Sequence, residues 1–409
     1  MAPTTELKDF EATSKMKALM GQYFTELMGE SAATKKTAWC TSVGPAELLR
    51  ALDFNVYFPE NHAAMLGASR MATDLIPAAN ARGYSPDVCS YMTSDIGSYL
   101  KNQTPFHKMK LPGPPKADVL VFNTNQCRDV QDWFQFYARE WNVPRIGIHT
   151  PRSVGDVSET IVDCVAKQIE ALVGPLEAIA GRKLDPQKLR EVVDLSLQCT
   201  RLWKAVLETA ANVPAPLTFF DGTIQMGPAV VLRGTREAVD YYQILLAELK
   251  QRVADGVAAV EGETYRIYWE GMPIWGKLKP LALQFMELRT CVVASTYCNS
   301  WIFEALDPAK PFEGMARAYT ELFICRNDER KEAYLAKMIE KFKIDGVLYH
   351  DSKTCPNNSN NRYDMPRRLQ EKTGKPFVVV DGDLNDLRLF SEEQTRTKIE
   401  AFVEQLSEG

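Results

Sequence analysis

Residues 117–127 read ADVLVFNTNQC, and residues 345–355 read DGVLYHDSKTC. Each is a short apolar run that passes directly into a polar loop ending on a cysteine, Cys127 in the first and Cys355 in the second. Runs of this kind, bounded by Gly, Pro or Asn and separated by helical patterns, point to parallel strands in βαβ units. Three further runs share the first half of the chain: Thr37–Val43 (TAWCTSV), Phe54–Phe58 (FNVYF) and Arg145–His149 (RIGIH). The second half repeats that order with Tyr265–Glu270 (YRIYWE), Thr290–Ser295 (TCVVAS), Asp345–His350 (DGVLYH) and Pro376–Asp381 (PFVVVD). Cys127 lies 88 residues beyond Trp39 and Cys355 lies 86 beyond Trp269, so the two cysteines hold equivalent places in an internal duplication.

The expected fold class is α/β, with two Rossmann-like lobes, each on a short parallel sheet, plus helical N-terminal and connecting segments. The expected division is 1–36 (N-terminal helical segment), 37–155 (first lobe), 156–260 (helical connection) and 261–409 (second lobe). Apolar residues recur at helical spacing from Val157 to Gly174, Asp185 to Thr209 and Thr235 to Val257. Asn212–Gly222 (NVPAPLTFFDG) reads as a loop from its prolines and Asp-Gly. The first 30 or so residues read as helical and are expected to pack on the outside. Ligands of open α/β sheets sit beyond the carboxyl ends of the strands, so facing lobes would bring Cys127 and Cys355 into one cleft.

At 409 residues with 45% hydrophobic content, the chain is long enough for two or three cores. The net charge is only −5 and no Lys/Arg block stands out, which implies neither a nucleic-acid partner nor an anionic membrane surface. No apolar stretch approaches the roughly 18 residues of a membrane span, and MAPTTELKDF lacks a signal peptide's apolar core. A cytoplasmic location is therefore expected. Nine cysteines, an odd number in a long chain of this kind, do not read as a disulfide framework. There is no CxxC and no ferredoxin-like spacing.

Context separates the cysteines. Cys89 (GYSPDVCSY), Cys127 (NTNQCRD) and Cys355 (DSKTCPNNSNN) are flanked by turn formers and small polar residues, which can donate hydrogen bonds to thiolates. Cys164 and Cys199 fall on helical patterns, Cys40 and Cys291 inside strands, and Cys325 in an apolar patch, so packing is expected for these. Cys298 and Cys40 remain reserve ligands. Three soft donors suit zinc or iron–sulfur, and three unrelated thiols are the alternative.

Several blocks resemble the 2-hydroxyacyl-CoA dehydratase and ATP-dependent benzoyl-CoA reductase family over nearly the whole chain. They are TSVGPAELLRALDFNVYFPENHAA (Thr41–Ala64), GYSPDVCSY (Gly83–Tyr91), RGTREAVDYY (Arg233–Tyr242), EGETYRIYWEG (Glu261–Gly271), TGKPFVVVDGDLNDLRLFS (Thr373–Ser391) and the two strand-then-cysteine segments. The resemblance implies an iron–sulfur catalytic subunit in which Cys89, Cys127 and Cys355 hold a [4Fe–4S] or larger cluster. It also implies a homologous second subunit in a heterodimer, a separate ATP-hydrolysing iron–sulfur activator, and an acyl-CoA substrate. ATP itself should bind elsewhere, since the chain has no GxxxxGK[ST].

The same resemblance matches Ser42 and Glu60 to a serine and a glutamate placed near the cluster. Glu60 otherwise reads as a turn residue capping a helix that starts near His62, and Ser42 as a strand-end hydroxyl serving the backbone. His62, His149 and His350 are further proton-donor candidates, with structural roles as the alternative. Arg233, Arg367 and Arg368 are candidates to contact CoA, with solvated charge as the alternative. The expected activity is an aromatic acyl-CoA reductase passing a low-potential electron to a CoA thioester through a ketyl radical, because DGTIQMGPAVVLRGTREAVDYY (Asp221–Tyr242) resembles the reductase side. An (R)-2-hydroxyacyl-CoA dehydratase is the first alternative, although NTNQC, SKTCPNN and DGDLNDLR depart from the dehydratases' NNICN, NRSCK and DGDQADPR. A noncatalytic electron-relay or scaffold subunit is the second.

Overall fold

The computed structural model describes residues 10–29 and 34–408. All eight expected runs form strands: β1 (Thr37–Cys40), β2 (Asn55–Tyr57), β3 (Val119–Asn123), β4 (Arg145–Ile148), β5 (Tyr265–Glu270), β6 (Thr290–Ser295), β7 (Gly346–Ser352) and β8 (Phe377–Gly382). They build two four-stranded parallel sheets of identical topology, β2-β1-β3-β4 and β6-β5-β7-β8. The duplication is thus carried by the fold. In each sheet the chain runs outward from the first strand to the second, then crosses to the third. The strand order therefore reverses between β1 and β3 and again between β5 and β7, and these switch points are where α/β sheets open a ligand crevice.

Helices of the first lobe are α1 (Glu11–Met28), α2 (Ala46–Ala51), α3 (Pro59–Ala68), α4 (Ala72–Ala81), α5 (Ser90–Lys101) and α6 (Asp129–Trp141). The connecting region holds α7 (Glu159–Ala171), α8 (Val173–Ala180), α9 (Pro186–Glu208), α10 (Phe219–Gln225), α11 (Gly227–Val231) and α12 (Arg236–Ala254). The second lobe adds α13 (Leu278–Glu287), α14 (Thr296–Asn299), α15 (Pro311–Thr320), α16 (Asp328–Lys341), α17 (Met365–Thr373) and α18 (Glu392–Glu408). Among the described residues no helix is long and apolar enough to cross a membrane.

Corresponding tryptophans anchor the two sheets. Trp39 in β1 and Trp269 in β5 are both fully buried, and each indole N–H donates to a loop carbonyl, Pro115 O (2.9 Å) and Met272 O (3.1 Å). Burial of an aromatic side chain of this size contributes about 2–3 kcal/mol, and the indole hydrogen bond removes the cost of an unpaired donor.

Three expectations about packing are corrected. Residues 212–222 are not all loop: the Thr218 hydroxyl accepts from Asp221 N (3.2 Å) while the Asp221 carboxylate accepts from Thr218 N (2.8 Å), a capping box that starts α10 despite Gly222. Cys164 is exposed, because α7 turns its Val162–Val165–Ile169 stripe inward and Cys164 away from it. The N-terminal helix α1 packs on α11, α12 and β2, and it walls the central cavity instead of lying outside. The remainder of that expected helical segment, residues 1–9 and 30–33, lies outside the described residues.

Candidate active site

A cavity of about 400 Å³ opens where the two switch points face each other, a size that suits a small ligand. Ser42 follows β1 and Cys127 follows β3; Gly271 and Met272 follow β5 and Cys355 follows β7; all five residues line the cavity, as do Cys89 and Glu60. The rest of its lining is largely apolar, including Met16, Met20 and Phe24 of α1 together with Leu278, Trp301 and Ile324, with Asn61, Asp129 and Asn358 among the polar exceptions. Ile224, on one wall, is half exposed and marks an opening. Gly271 has φ +101, and a Cβ there would sit 2.9 Å from His350 O and 3.0 Å from Asn358 O. Only glycine lets the β5 loop pass this close to the loop that carries Cys355.

The three thiols share one local construction. Each stands at or just before a helix start, where the nearby backbone N–H three residues on favours the thiolate (Met92 for Cys89, Val130 for Cys127, Asn358 for Cys355), although neither Cys89 nor Cys355 makes a capping hydrogen bond. Asn358 Nδ2 also approaches Cys355 Sγ at 3.8 Å. Helix starts favour thiolate, but burial works against it. Burial pushes Cys89 well above the ordinary thiol range with help from Cys127 and Cys355, Cys127 up to about 12, and Cys355 up to about 11. Burial thus favours the protonated thiols, and binding a cation there would release those protons.

Among the described residues, no group of three or more His, Cys, Asp or Glu side chains is arranged to hold a single metal ion. A polynuclear cluster distributes its thiolates over separate irons and so tolerates wider spacing. The half-buried soft donors and their backbone N–H groups fit such a group. Cys40 and Cys298, the reserve ligands, are fully buried in packing, as are Cys199, Cys291 and Cys325.

Glu60 sits in the first turn of α3, which starts at Pro59, and its carboxylate does not cap that helix. Glu60 Oε1 instead accepts the backbone N–H of Ser42 at 2.9 Å. Among the described residues neither Glu60 Oε2 nor Ser42 Oγ makes a well-formed hydrogen bond, while the Ser42 hydroxyl lies near enough to the Glu60 carboxylate to favour its charged form. Burial raises the Glu60 carboxyl to about 7, against the opposing pull of the Ser42 N–H. A carboxyl group raised toward neutral pH and a neighbouring hydroxyl thus line the same cavity as the thiols.

Behind that pair, Arg233 holds the loop in place. It is 2% exposed, and its guanidinium donates to Ser42 O (2.8 Å), Gly44 O (2.9 Å) and Glu47 Oε1 (3.0 Å). Glu47 also accepts from Ser196 Oγ (2.9 Å) and Tyr319 Oη (2.5 Å). Although burial alone would raise Glu47, Arg233 and Tyr319 hold it below the usual carboxylate range. Neither reading of Arg233 as a CoA contact or as solvated charge survives, because its forked donors are taken up by backbone carbonyls and the Glu47 carboxylate inside the core. Arg367 and Arg368 lie in surface ion pairs with Asp364 and Glu332.

His62 is not in the cavity. Its Nδ1 meets Asp95 Oδ1 at 2.6 Å and its Nε2 meets Thr104 Oγ1 at 2.9 Å, while Asp95 Oδ2 accepts from Trp133 Nε1 and Tyr137 Oη. Both ring nitrogens are committed to the core of the first lobe. His149 faces Gln131 at an exposed position (3.1 Å), and buried His350 binds Met272 O (2.6 Å) from behind the β5 loop.

Two acids escaped the sequence reading. Glu270, the last residue of β5, is fully buried beside the cavity loop; burial raises it to about 7, and its one partner, Asn360, leaves Oε2 unpaired among the described residues. Asp383, just after β8, clasps the lobes. Its carboxylate accepts from Ser90 Oγ, Thr354 N (2.9 Å), Thr354 Oγ1 (2.6 Å), Asn385 N (3.0 Å) and Asp386 N (3.0 Å). Ser90 follows Cys89 and Thr354 precedes Cys355, so one buried carboxylate sets the register between two thiols from different lobes. The only sequence signal was the DGD run itself. In Asp383→Asn the amide NH₂ would face donors, so the chain should lose about 3 kcal/mol of stability. Maleimide labelling of Cys89 and Cys355 should then accelerate while that of Cys127 holds steady; labelling rates equal to wild type at all three would remove the clasp role.

The fold and cavity define a two-lobed α/β protein with a thiol-lined crevice between duplicated sheets. The 2-hydroxyglutaryl-CoA dehydratase D-component family model matches residues 41–406, and the chain belongs to that family. It is 32% identical over 405 residues to the (R)-2-hydroxyisocaproyl-CoA dehydratase alpha subunit of Clostridioides difficile, covering 97% of both chains. It is 30% identical to the alpha subunit of lactoyl-CoA dehydratase from Anaerotignum propionicum, covering 90% of both chains. A benzoyl-CoA reductase subunit from Thauera aromatica is 28% identical, with 96% of this chain and 94% of that one covered. All three are named as subunits of enzymes.

Proposed function

We propose that this chain is the cluster-bearing catalytic subunit of a 2-hydroxyacyl-CoA dehydratase that takes an apolar acyl group. The observation that carries the reading is the placement of Ser42 and Glu60, neither Oγ nor Oε2 making a well-formed hydrogen bond, in the same largely apolar cavity as three half-buried thiols. Dehydratase alpha subunits among the relatives support it. Cys89, Cys127 and Cys355 would hold an iron–sulfur cluster, which when bound supplies a low-potential electron and an open coordination position. A homologous partner subunit and an ATP-hydrolysing activator complete the proposed system.

Within this chain, Glu60 holds its proton close to neutral pH and can give it to a departing hydroxyl, so that the hydroxyl leaves as water. Ser42 Oγ, beside Glu60, can turn to donate a hydrogen bond to a substrate oxygen, and Arg233 keeps its loop from drifting. The methionines and phenylalanine of α1 exclude water from the acyl chain. A second reading, the aromatic acyl-CoA reductase, rests on the 221–242 segment: Thr223, Ile224, Met226, Gly227 and Val230 of that reductase-like stretch line the cavity itself.

The deciding experiment is anaerobic purification with the partner and activator, followed by turnover of (R)-2-hydroxyisocaproyl-CoA and benzoyl-CoA in parallel. An enoyl-CoA product supports the dehydratase, and a cyclic diene product the reductase. Iron reduction without turnover of either thioester would leave an electron-relay role.

A further inference from the structure

The short helix α14 begins directly at the carboxyl end of β6, where the Cys298 N–H donates to Ser295 Oγ at 3.1 Å and the Trp203 indole N–H donates to Cys298 O at 3.0 Å. This turn brings Thr296, Tyr297 and, just beyond it, Ser300 to the second-lobe wall of the thiol-lined cavity. Two of the three hydroxyls are committed there. Thr296 Oγ1 meets Tyr268 Oη at 3.0 Å, and Ser300 Oγ donates to Thr296 O at 2.8 Å. Thr223, which also lines the cavity, donates its hydroxyl to Phe220 O at 2.7 Å.

Tyr297 is placed differently. Its half-buried ring stands edge-on to Trp275 with centroids 5.8 Å apart, and its hydroxyl lies beside that of Tyr91 from the first lobe. Trp275 Nε1 donates to Tyr91 Oη, so the Tyr91 proton is left to turn toward Tyr297. A phenol oxygen that accepts from Tyr91 still carries a proton of its own to give. Burial raises the Tyr297 phenol above its ordinary range against the pull of the Tyr91 hydroxyl, and nearby Cys298, Glu60 and Cys355 add to the rise. Tyr297 therefore keeps its proton at neutral pH, within electrostatic reach of Glu60 from one lobe and Cys355 from the other.

We propose that Tyr297 is a further catalytic residue whose O–H donates a hydrogen bond to the carbonyl oxygen of the bound thioester, the atom where negative charge grows when the thioester takes up the low-potential electron. The proposal rests on the acyl-CoA reading and adds to it the donor that faces the carbonyl. Tyr91 and Trp275 are positioning residues: they touch no substrate atom and act by aiming and polarising the Tyr297 O–H. The two lobes then divide the work. Glu60 gives up a proton to the departing hydroxyl, whereas Tyr297 keeps its proton and stabilises the carbonyl oxygen through the hydrogen bond alone, an interaction that strengthens as charge develops.

The test uses isocaproyl-CoA, which lacks the hydroxyl that would leave, isotope-labelled at the thioester carbonyl carbon and bound to the assembled complex carrying wild-type chain or Tyr297→Phe. Isotope-edited infrared spectroscopy reads the carbonyl stretch, and turnover of (R)-2-hydroxyisocaproyl-CoA is measured on the same proteins. Phenylalanine keeps the ring against Trp275, so fold and iron content should hold. The bound carbonyl should absorb below the free thioester in wild type and move back toward it in Tyr297→Phe, while kcat falls about 10²-fold and KM changes little. Tyr91→Phe should move the band part of the way. A wild-type band at the free-ligand frequency, or a Tyr297→Phe chain with either the wild-type band or the wild-type kcat, overturns the donor assignment while the acyl-CoA reading stands. A wild-type complex that binds no isocaproyl-CoA overturns both.

Discussion

Replacing Cys355 by serine is expected to strip iron and acid-labile sulfide from the anaerobically purified complex and to abolish acyl-CoA turnover while the chain stays folded. Cys355 precedes a short turn at Pro356–Asn358 without a capping hydrogen bond from its sulfur, which lies near the Asn358 N–H and 3.8 Å from Asn358 Nδ2. Serine is close in size and is itself a favoured residue at a helix start, so stability should change little. Its alkoxide is a hard ligand of far higher pKa than a thiolate, so the soft donor set is broken. Wild type should carry about four irons per chain or more, and Cys164→Ser, at an exposed site on α7, should keep them all. Wild type that stays iron-free after reconstitution, or a Cys355 variant with full iron, would sink the cluster proposal.

Glu60→Gln should lower turnover by about 10²–10⁴-fold while making the protein less sensitive to alkaline pH. Glutamine can still accept from Ser42 N, as Glu60 Oε1 does at 2.9 Å, so the loop should hold. The carboxyl is raised from 4.5 to about 7 in the folded chain, chiefly by burial. Between those values the folded state binds more protons than the unfolded, so stability falls as pH rises through this window and levels off above it. The full change is on the order of 3 kcal/mol, and the variant should lose it. Glu270, raised to a similar value by burial, should contribute a separate share that Glu60→Gln leaves intact. Turnover carried by the protonated acid should decline above about pH 7 in wild type, a limb the variant should lack. Wild-type kcat with an unaltered pH profile would remove Glu60 from the chemistry.

Much of the fold was legible because its signals are local. β-branched runs between turn formers located eight strands, and the equal spacing of Cys127 and Cys355 from Trp39 and Trp269 exposed the repeat that the two sheets reproduce. Where local rules compete, the reading slipped. Prolines and Asp-Gly argued for a loop at 212–222, and the capping box of Thr218 and Asp221 outweighed them at its end. A helical pattern placed Cys164 in the core, although only the phase of α7 against its neighbours settles which side is inward.

By itself the sequence determined two parallel α/β lobes and three cysteines set apart by polar loops, since strand period and turn chemistry act over a few residues. Only the tertiary structure decided that Glu60 turns to Ser42 and not to its own helix, that His62 spends both nitrogens in the core, that Arg233 is a buried clamp, and that Asp383 ties Ser90 to Thr354. Those outcomes depend on burial and on partners up to hundreds of residues away, where the cost of an unpaired buried group selects one geometry.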